Sequence, residues 1–254
     1  MTKPHALRAI LFDMGGTLEH FYYDRDMRLA ATADLIQLLA EKGSIVSLTV
    51  TELYTRIERG IAHYRAHQAV TSREPPPERF WADYLLVDVG IPTTEIEAMA
   101  NELSDFFETR FFRRRMRDEA PEVLKTLHER GFIIGMISNT VSRSQVPAHL
   151  SRYGIREYFD PVVLSVDYGR RKPDPRIFWH AANLIGVEPH LCCYVGDTTS
   201  RDVLGARRAG FGLVVQIPSF LSSQVDTGDE GIEPDAHISD LRELLDIVKE
   251  PYLV

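Results

Sequence analysis

Beyond about residue 120 the chain alternates between two kinds of segment, and this alternation limits the fold more than any other feature. Short apolar runs at 132–137, 161–165, 191–195 and 213–217 are separated by stretches of helical character. Those helical stretches read as 121–130 closing at Gly131, 143–153, a segment opening at Asp174-Pro175, and 201–209 closing at Gly210; a last helix is predicted at 240–249. Runs of that length are too short for helices and too apolar for half-exposed strands, so they predict buried strands of a parallel sheet. One more such run lies near the start, Ala9-Ile10-Leu11-Phe12, and ends on Asp13 with Gly15, Gly16 and Thr17 close behind. Strands alternating with helices predict an α/β fold, a doubly wound parallel sheet. A polar, glycine-containing loop is predicted at 228–233.

The segment from about Tyr23 to Arg117 interrupts this pattern and contains no good strand. Residues 26–42 carry apolar positions at helical spacing and stop at Gly43. Thr49-x-x-Glu52 and Thr94-x-x-Glu97 each fit a capping box ahead of a helical run. Between them Glu74-Pro75-Pro76-Pro77-Glu78 breaks one helix and introduces the next at Arg79-Phe80-Trp81. The reading is an inserted all-helical domain at 19–117, with the α/β core at 1–18 and 118–254. Phe106, Phe107, Phe111 and Phe112 are expected in the core of the insert. The arginines at 110, 113, 114, 115 and 117 read as a solvated helix end from which one or two could reach an anionic substrate. Arg56, Arg59, Tyr64 and His67 are candidates for specificity.

Composition removes several classes of function. A net charge of −8 argues against a nucleic-acid surface. No apolar run approaches the roughly 18 residues of a membrane span, and the opening Met-Thr-Lys-Pro-His lacks the apolar core of a signal peptide. The two cysteines, Cys192 and Cys193, are adjacent on a predicted strand and so face opposite ways, as buried apolar side chains rather than a disulfide. The expectation is a cytoplasmic protein, monomer or homodimer, acting on a small molecule.

In open α/β sheets ligands bind at the carboxyl ends of the strands. Here those ends carry Asp13, Ser138 with Asn139, and Asp197; Lys172 arrives on the loop after the run 161–165, and Asp202 follows at the start of a helix. Taken alone, Asp13 could be a nucleophile, a metal ligand or a turn residue. Taken together, a carboxylate nucleophile, two further acids, a hydroxyl and a lysine suit phosphoryl transfer to Asp13. Mg²⁺ would be held by oxygen ligands, and the lysine and hydroxyl would meet the phosphoryl oxygens.

These residues resemble the haloacid dehalogenase-like hydrolase superfamily, whose four motifs occur in order over nearly the whole chain. They are Asp13-Met14-Gly15-Gly16-Thr17, Ile137-Ser138-Asn139, Lys172-Pro173-Asp174-Pro175, and Val195-Gly196-Asp197 continuing through Asp202 to Gly210. The helical insertion lies where that family carries a C1-type cap. The resemblance implies a Rossmann-like core and an aspartyl-phosphate intermediate on Asp13. It implies that Ser138, Asn139 and Lys172 bind phosphate, and that Asp13, the backbone carbonyl of Gly15, Asp197 and Asp202 hold Mg²⁺. Asp202 could also act by orienting water or Lys172, and Thr17 would brace the loop. The cap would close over Asp13 and expel water.

One departure matters. Gly15 stands where phosphatases of the family have a second aspartate, the general acid/base. Three explanations remain open: a substitute such as Glu19, His20, His63 or His67; a substrate whose leaving group needs little acid catalysis; or a slow or non-catalytic protein that binds a phosphorylated ligand. Dehalogenation fits poorly, because both motif-four acids are present. A Schiff-base mechanism fits poorly too, because Lys42 is the only lysine between Asp13 and Lys125 and reads as a helix-end charge.

Overall fold

The computed structural model describes residues 7–226 and 231–251; residues 228–230 of the predicted polar loop lie outside them. Among the described residues eight strands are formed: β1 (Ala9–Phe12), β2 (Glu19–Tyr22), β3 (Arg113–Met116), β4 (Ile133–Ser138), β5 (Val162–Leu164), β6 (Cys192–Gly196), β7 (Leu213–Gln216) and β8 (Ala236–His237). Six of them make a parallel sheet in the order β5-β4-β1-β6-β7-β8, with β1 in the middle. The α/β class and the doubly wound sheet are as expected, and β8 is an addition that its two-residue length hides in the sequence.

Both faces of the sheet are covered, which is why its strands are apolar throughout rather than alternating. Ile10 and Phe12 of β1 pack with Met136, Val195 and Val215 against the helix Ala120–Glu129 on one face. Ala9 and Leu11 pack with Ile137, Tyr194 and Val214 against the helix Pro175–Leu184 on the other. Cys193 belongs to the first cluster and Cys192 to the second, and both thiols are free. Burial pushes the Cys192 thiol up to about 12 and raises that of Cys193 as well. The native protein is therefore expected to resist a thiol reagent such as dithionitrobenzoate and to titrate both cysteines only after unfolding. Reaction of either one in the folded state would mean that the sheet opens locally.

The insert has its own apolar cluster, in which Leu35, Ile57, Phe80, Trp81, Phe107 and Phe111 are buried. Its long helices are Arg25–Glu41, Val50–Thr71 and Thr93–Arg110. The Thr49/Glu52 capping box forms. The one expected at Thr94 does not: the helix starts at Thr93 behind Pro92, which puts Thr94 inside it. A helix begins at Pro77, as proline permits at a first turn, and runs into a wider π-turn at Trp81–Leu85.

The segment 23–117 is not free of strands, and this corrects the reading above. β3 pairs antiparallel with β2, so the chain enters and leaves the insert along a two-stranded ribbon. The arginine-rich segment is thus partly strand rather than helix end. The inward positions of the ribbon are Glu19 and Phe21 on β2 and Arg114 and Met116 on β3, so a charged residue interrupts the apolar alternation of each strand and no clear period-two signal was visible. No helix among the described residues is long and apolar enough to cross a membrane.

Candidate functional site

Asp13 follows the central strand directly and receives its position from β6, whose Val195 carbonyl accepts the Asp13 N–H at 2.9 Å. The turn after it is tight. Gly16 has φ +95°, and a Cβ there would lie 2.2 Å from Asp197 Oδ2, so only glycine lets the turn rest against the end of β6. Arg117, buried at the exit of the ribbon, donates to the carbonyls of Gly16 (3.0 Å) and Pro218 (3.1 Å) and ties the turn to the loop after β7. Thr17 contributes its N–H to the Met14 carbonyl, while its hydroxyl has no partner among the described residues.

The candidate residues meet. Lys172 Nζ lies 2.7 Å from Asp13 Oδ1, 2.6 Å from Asp202 Oδ1 and 2.9 Å from the Tyr194 hydroxyl, and the lysine is 2% exposed. Asn139 fixes the backbone that carries it: its side-chain oxygen accepts from the Lys172 N–H (2.9 Å) and its amide donates to the Lys172 carbonyl (3.1 Å). Asp202 uses both oxygens on protein donors, with Thr198 N–H and hydroxyl on Oδ2. Although burial opposes it, Lys172, Arg201 and the Thr198 hydroxyl hold the Asp202 carboxyl down at about 2. Asp13 behaves oppositely: burial, aided by the Asp202 charge, outweighs Lys172 and raises its pKa.

Asp197 is the third acid. One oxygen of each of Asp13, Asp197 and Asp202 lies within 4.8 Å of the others. Ser219 donates to Asp197 Oδ2, but Oδ1 is buried without a partner among the described residues. Burial first, then the charges of Asp202 and Asp13, raise the Asp197 pKa well above the ordinary carboxylate range. A cluster of hard oxygens with an unshared buried lone pair suits a small divalent cation.

Asp13 and Lys172 line the floor of a cavity of about 900 Å³, together with Ser138, Asn139 and Gly15, and Asp197 and Asp202 lie beneath it, each with an oxygen within 4.8 Å of one on Asp13. One side of its walls comes from the insert, with Phe21, Ile61, Tyr64, Phe107, Glu108 and Arg114, and the other from the core, with Arg171, Arg201 and Arg208. Two buried glutamates join the walls to the floor. Glu74 accepts from Tyr64, Gln68 (3.0 Å), Ser165 (2.7 Å) and Arg171 (3.2 Å), and Ser165 Oγ in turn accepts the Thr140 N–H at 3.0 Å. Glu108 accepts from the Thr140 hydroxyl (3.3 Å) and the Val141 N–H (3.4 Å) through one oxygen, and from Arg114 through the other. The loop after Ser138 is thus held from the insert on two sides.

The other candidates separate. Glu19 is fully buried, its carboxylate taken by His149 (2.7 Å), Tyr153 (2.8 Å) and Arg114 (3.3 Å). Those partners outweigh its burial and keep its pKa low. His20 lies on the opposite face of β2 and is exposed. His63 and His67 are exposed beside Tyr84 and do not line the cavity. Of the specificity candidates only Tyr64 lines it; Arg56 binds the carbonyls of Val87 and Asp88. Lys42 sits on the surface, paired with Glu102. Tyr194, Glu74 and Glu108 were not singled out by their sequence context, whereas Arg114 belongs to the arginine cluster from which one or two members were expected to reach an anionic substrate, and it lines the cavity. For Tyr194, a hydroxyl in an otherwise apolar buried run was the one available signal.

Comparison with known proteins bears on this site. The profile described as haloacid dehalogenase-like hydrolase matches residues 7–210. A glyceraldehyde 3-phosphate phosphatase of Methanopyrus kandleri is 30% identical over 244 residues, covering 96% of this chain and 98% of its own. A protein of the same description from Methanothermobacter thermautotrophicus is 27% identical over 249 residues, 95% of this chain and 100% of its own. The fold resembles that of a 2-haloacid dehalogenase from Pseudomonas syringae, with TM-score 0.64, 24% identity, and 95% and 97% of the two chains covered.

Proposed function

We propose, from the premise that this chain belongs to the haloacid dehalogenase-like hydrolase family, that it is a Mg²⁺-dependent phosphatase. It acts on a small phosphorylated metabolite through an aspartyl phosphate on Asp13. The observation that carries this is the convergence of Asp13 and Lys172 at the floor of one cavity, with Asp197 and Asp202 clustered against Asp13. The phosphatase names of the full-length relatives support it.

In this mechanism Asp13 attacks phosphorus, an Asp13–phosphorus bond forms, and the bond to the leaving oxygen breaks. Lys172 and Ser138 stabilise the phosphoryl oxygens, and Asn139 keeps the Lys172 backbone in place. Water then attacks phosphorus, the Asp13–phosphorus bond breaks, and both water protons leave with inorganic phosphate as H₂PO₄⁻. Asp13, Asp197, the Gly15 carbonyl and Asp202 would hold Mg²⁺, which supplies the positive charge that lets two anions approach. Asp202, already committed to Lys172 and Thr198, chiefly keeps the lysine aimed. The insert acts as a cap that excludes water and selects the substrate. Two buried thiols suit a reducing cytoplasm.

The test is release of inorganic phosphate from glyceraldehyde 3-phosphate, other sugar phosphates, acetyl phosphate and nucleotides, with Mg²⁺ and after chelation. Turnover that chelation abolishes and Mg²⁺ restores is expected. No turnover of any of them would leave a phospho-ligand-binding protein.

A second expectation concerns the metal without activity. A carboxylate whose folded pKa is raised destabilises the fold once ionised, so the Asp197 contribution is lost as pH rises through its raised pKa. At neutral pH, Asp197→Asn is therefore expected to melt above the metal-free parent. Mg²⁺ at about 100 times its Kd should stabilise the parent by about 2.7 kcal/mol, roughly 5–10 °C for a chain of this size. It should leave the variant unmoved. Equal responses in scanning calorimetry would remove Asp197 from the metal site.

A further inference from the structure

The place left open by Gly15 is already filled. A Cβ built on Gly15 would lie 3.0 Å from Arg114 Nη1 and 3.6 Å from Phe21 Cδ2. The guanidinium therefore stands where a side chain at position 15 would have to enter, and it lines the cavity with Asp13. It is firmly held. Nη1 donates to Glu19 Oε2 at 3.3 Å, Nη2 to Glu108 Oε2 at 2.5 Å and Nε to the Glu108 carbonyl at 3.3 Å, and the group stacks on the Phe21 ring at 4.4 Å. Each terminal nitrogen carries a second hydrogen, and those two hydrogens have no acceptor among the described residues.

We propose that Arg114 is the group that meets the leaving oxygen, a fixed cation in the place of a proton donor. This rests on the phosphatase reading above. A guanidinium does not release its proton in a protein. Arg114 can stabilise negative charge on a departing oxygen through an N–H hydrogen bond, but it cannot protonate that oxygen. When Asp13 displaces the leaving group, the bonding pair goes with the oxygen, which departs as an anion. The substrate class is then phosphate joined to an oxygen far less basic than an alkoxide: a carboxylate, as in an acyl phosphate, a second phosphate, or, less readily, an enolate or phenolate. A simple alcohol ester would have to leave as an alkoxide and is a poor substrate. The buried ion pairs to Glu19 and Glu108 are the reason a cation can be kept there without a bound anion.

The experiment is kcat/KM with Mg²⁺ for aryl phosphates of graded leaving-group acidity, with acetyl phosphate and an alkyl phosphate at the extremes. In the parent, a steep fall with rising leaving-group pKa is expected, with the alkyl ester at least 100-fold below acetyl phosphate. Arg114→Gln should reduce turnover of acetyl phosphate by roughly 10²-fold and steepen the slope, whereas Arg114→Lys retains a cation and should lose less. Gly15→Asp alone should fail to rescue the alkyl ester, because the new carboxylate would pair with Arg114 and stay ionised. Gly15→Asp with Arg114→Gln should raise alkyl turnover above that of the parent. A flat slope in the parent overturns the proposal and needs no variant. So does an unchanged slope in a folded Arg114→Gln or Arg114→Lys protein. Asp13→Asn separates the two levels. If the parent is active and Asp13→Asn is not, a flat slope defeats only the role of Arg114. If the parent is inactive on the whole series, or Asp13→Asn is as active as the parent, the phosphatase reading falls and this proposal with it.

Discussion

Replacing Asp13 with Asn is expected to lower Mg²⁺-dependent phosphate release by roughly 10⁴-fold or more, the scale on which loss of a covalent nucleophile is felt. The substitution keeps the shape of the side chain and removes its ability to form an acyl phosphate. The fold should survive it. Burial raises the Asp13 pKa, so its charge is held at some cost, and Lys172 retains Asp202 and Tyr194 as partners. The variant should therefore melt no lower than the metal-free parent. Intact-mass measurement after acid quench gives a second readout: the parent gains one phosphoryl group during turnover and the variant does not. Activity within about tenfold of the parent would remove Asp13 from the reaction.

Lys172→Met is expected to be the most destabilising single change at the site, by about 3–5 kcal/mol. The lysine is enclosed between Asp13 and Asp202 at 2.7 and 2.6 Å, and its removal leaves two buried carboxylates facing each other. For a chain of this size the melting temperature should drop by roughly 10 °C. The pH dependence should also change sign. In the parent the Asp202 pKa lies at about 2, below its ordinary 3.8. It therefore contributes stability that is present above pH 3.8 and lost as pH falls toward 2. In the variant the same carboxylates are desolvated without a cation, their folded pKa values rise, and stability should be regained as pH falls. Adding Asp202→Asn should restore part of the loss at neutral pH. Calorimetry of the three proteins from about pH 2.5 to 8 tests this, and a parent-like profile in Lys172→Met would mean that the pair is not stabilising.

The two levels of structure were legible to different degrees, for physical reasons. The parallel sheet was readable because both of its faces are covered, which makes each strand an unbroken apolar run. The floor of the cavity was readable because strand ends deliver their residues within a few positions of the run itself. The ribbon was not, since two of its four inward residues are charged and satisfy one another across 95 positions, Glu19 with Arg114. Glu74 and Glu108 escaped notice for the same reason: their roles exist only through Ser165 and Thr140, 91 and 32 positions away. The failed capping box at Thr94 is a local matter, in which Pro92 starts the helix before the threonine can cap it.

The ribbon has a bearing on how such proteins diversify. Its two strands are the covalent tether of the insert, and they also carry Glu19 and Arg114, which border the position beside Asp13. Grafting a different set of helices between residues 23 and 107 would exchange most of the walls of the cavity and leave Arg114 with its partners Glu19 and Glu108 beside the turn after Asp13. Shifting the pairing of the ribbon by a single residue would turn Arg114 outward and bring Arg113 or Arg115 in. Substrate preference and reaction type are thus inherited through separate segments, and a lineage could change the first many times before touching the second.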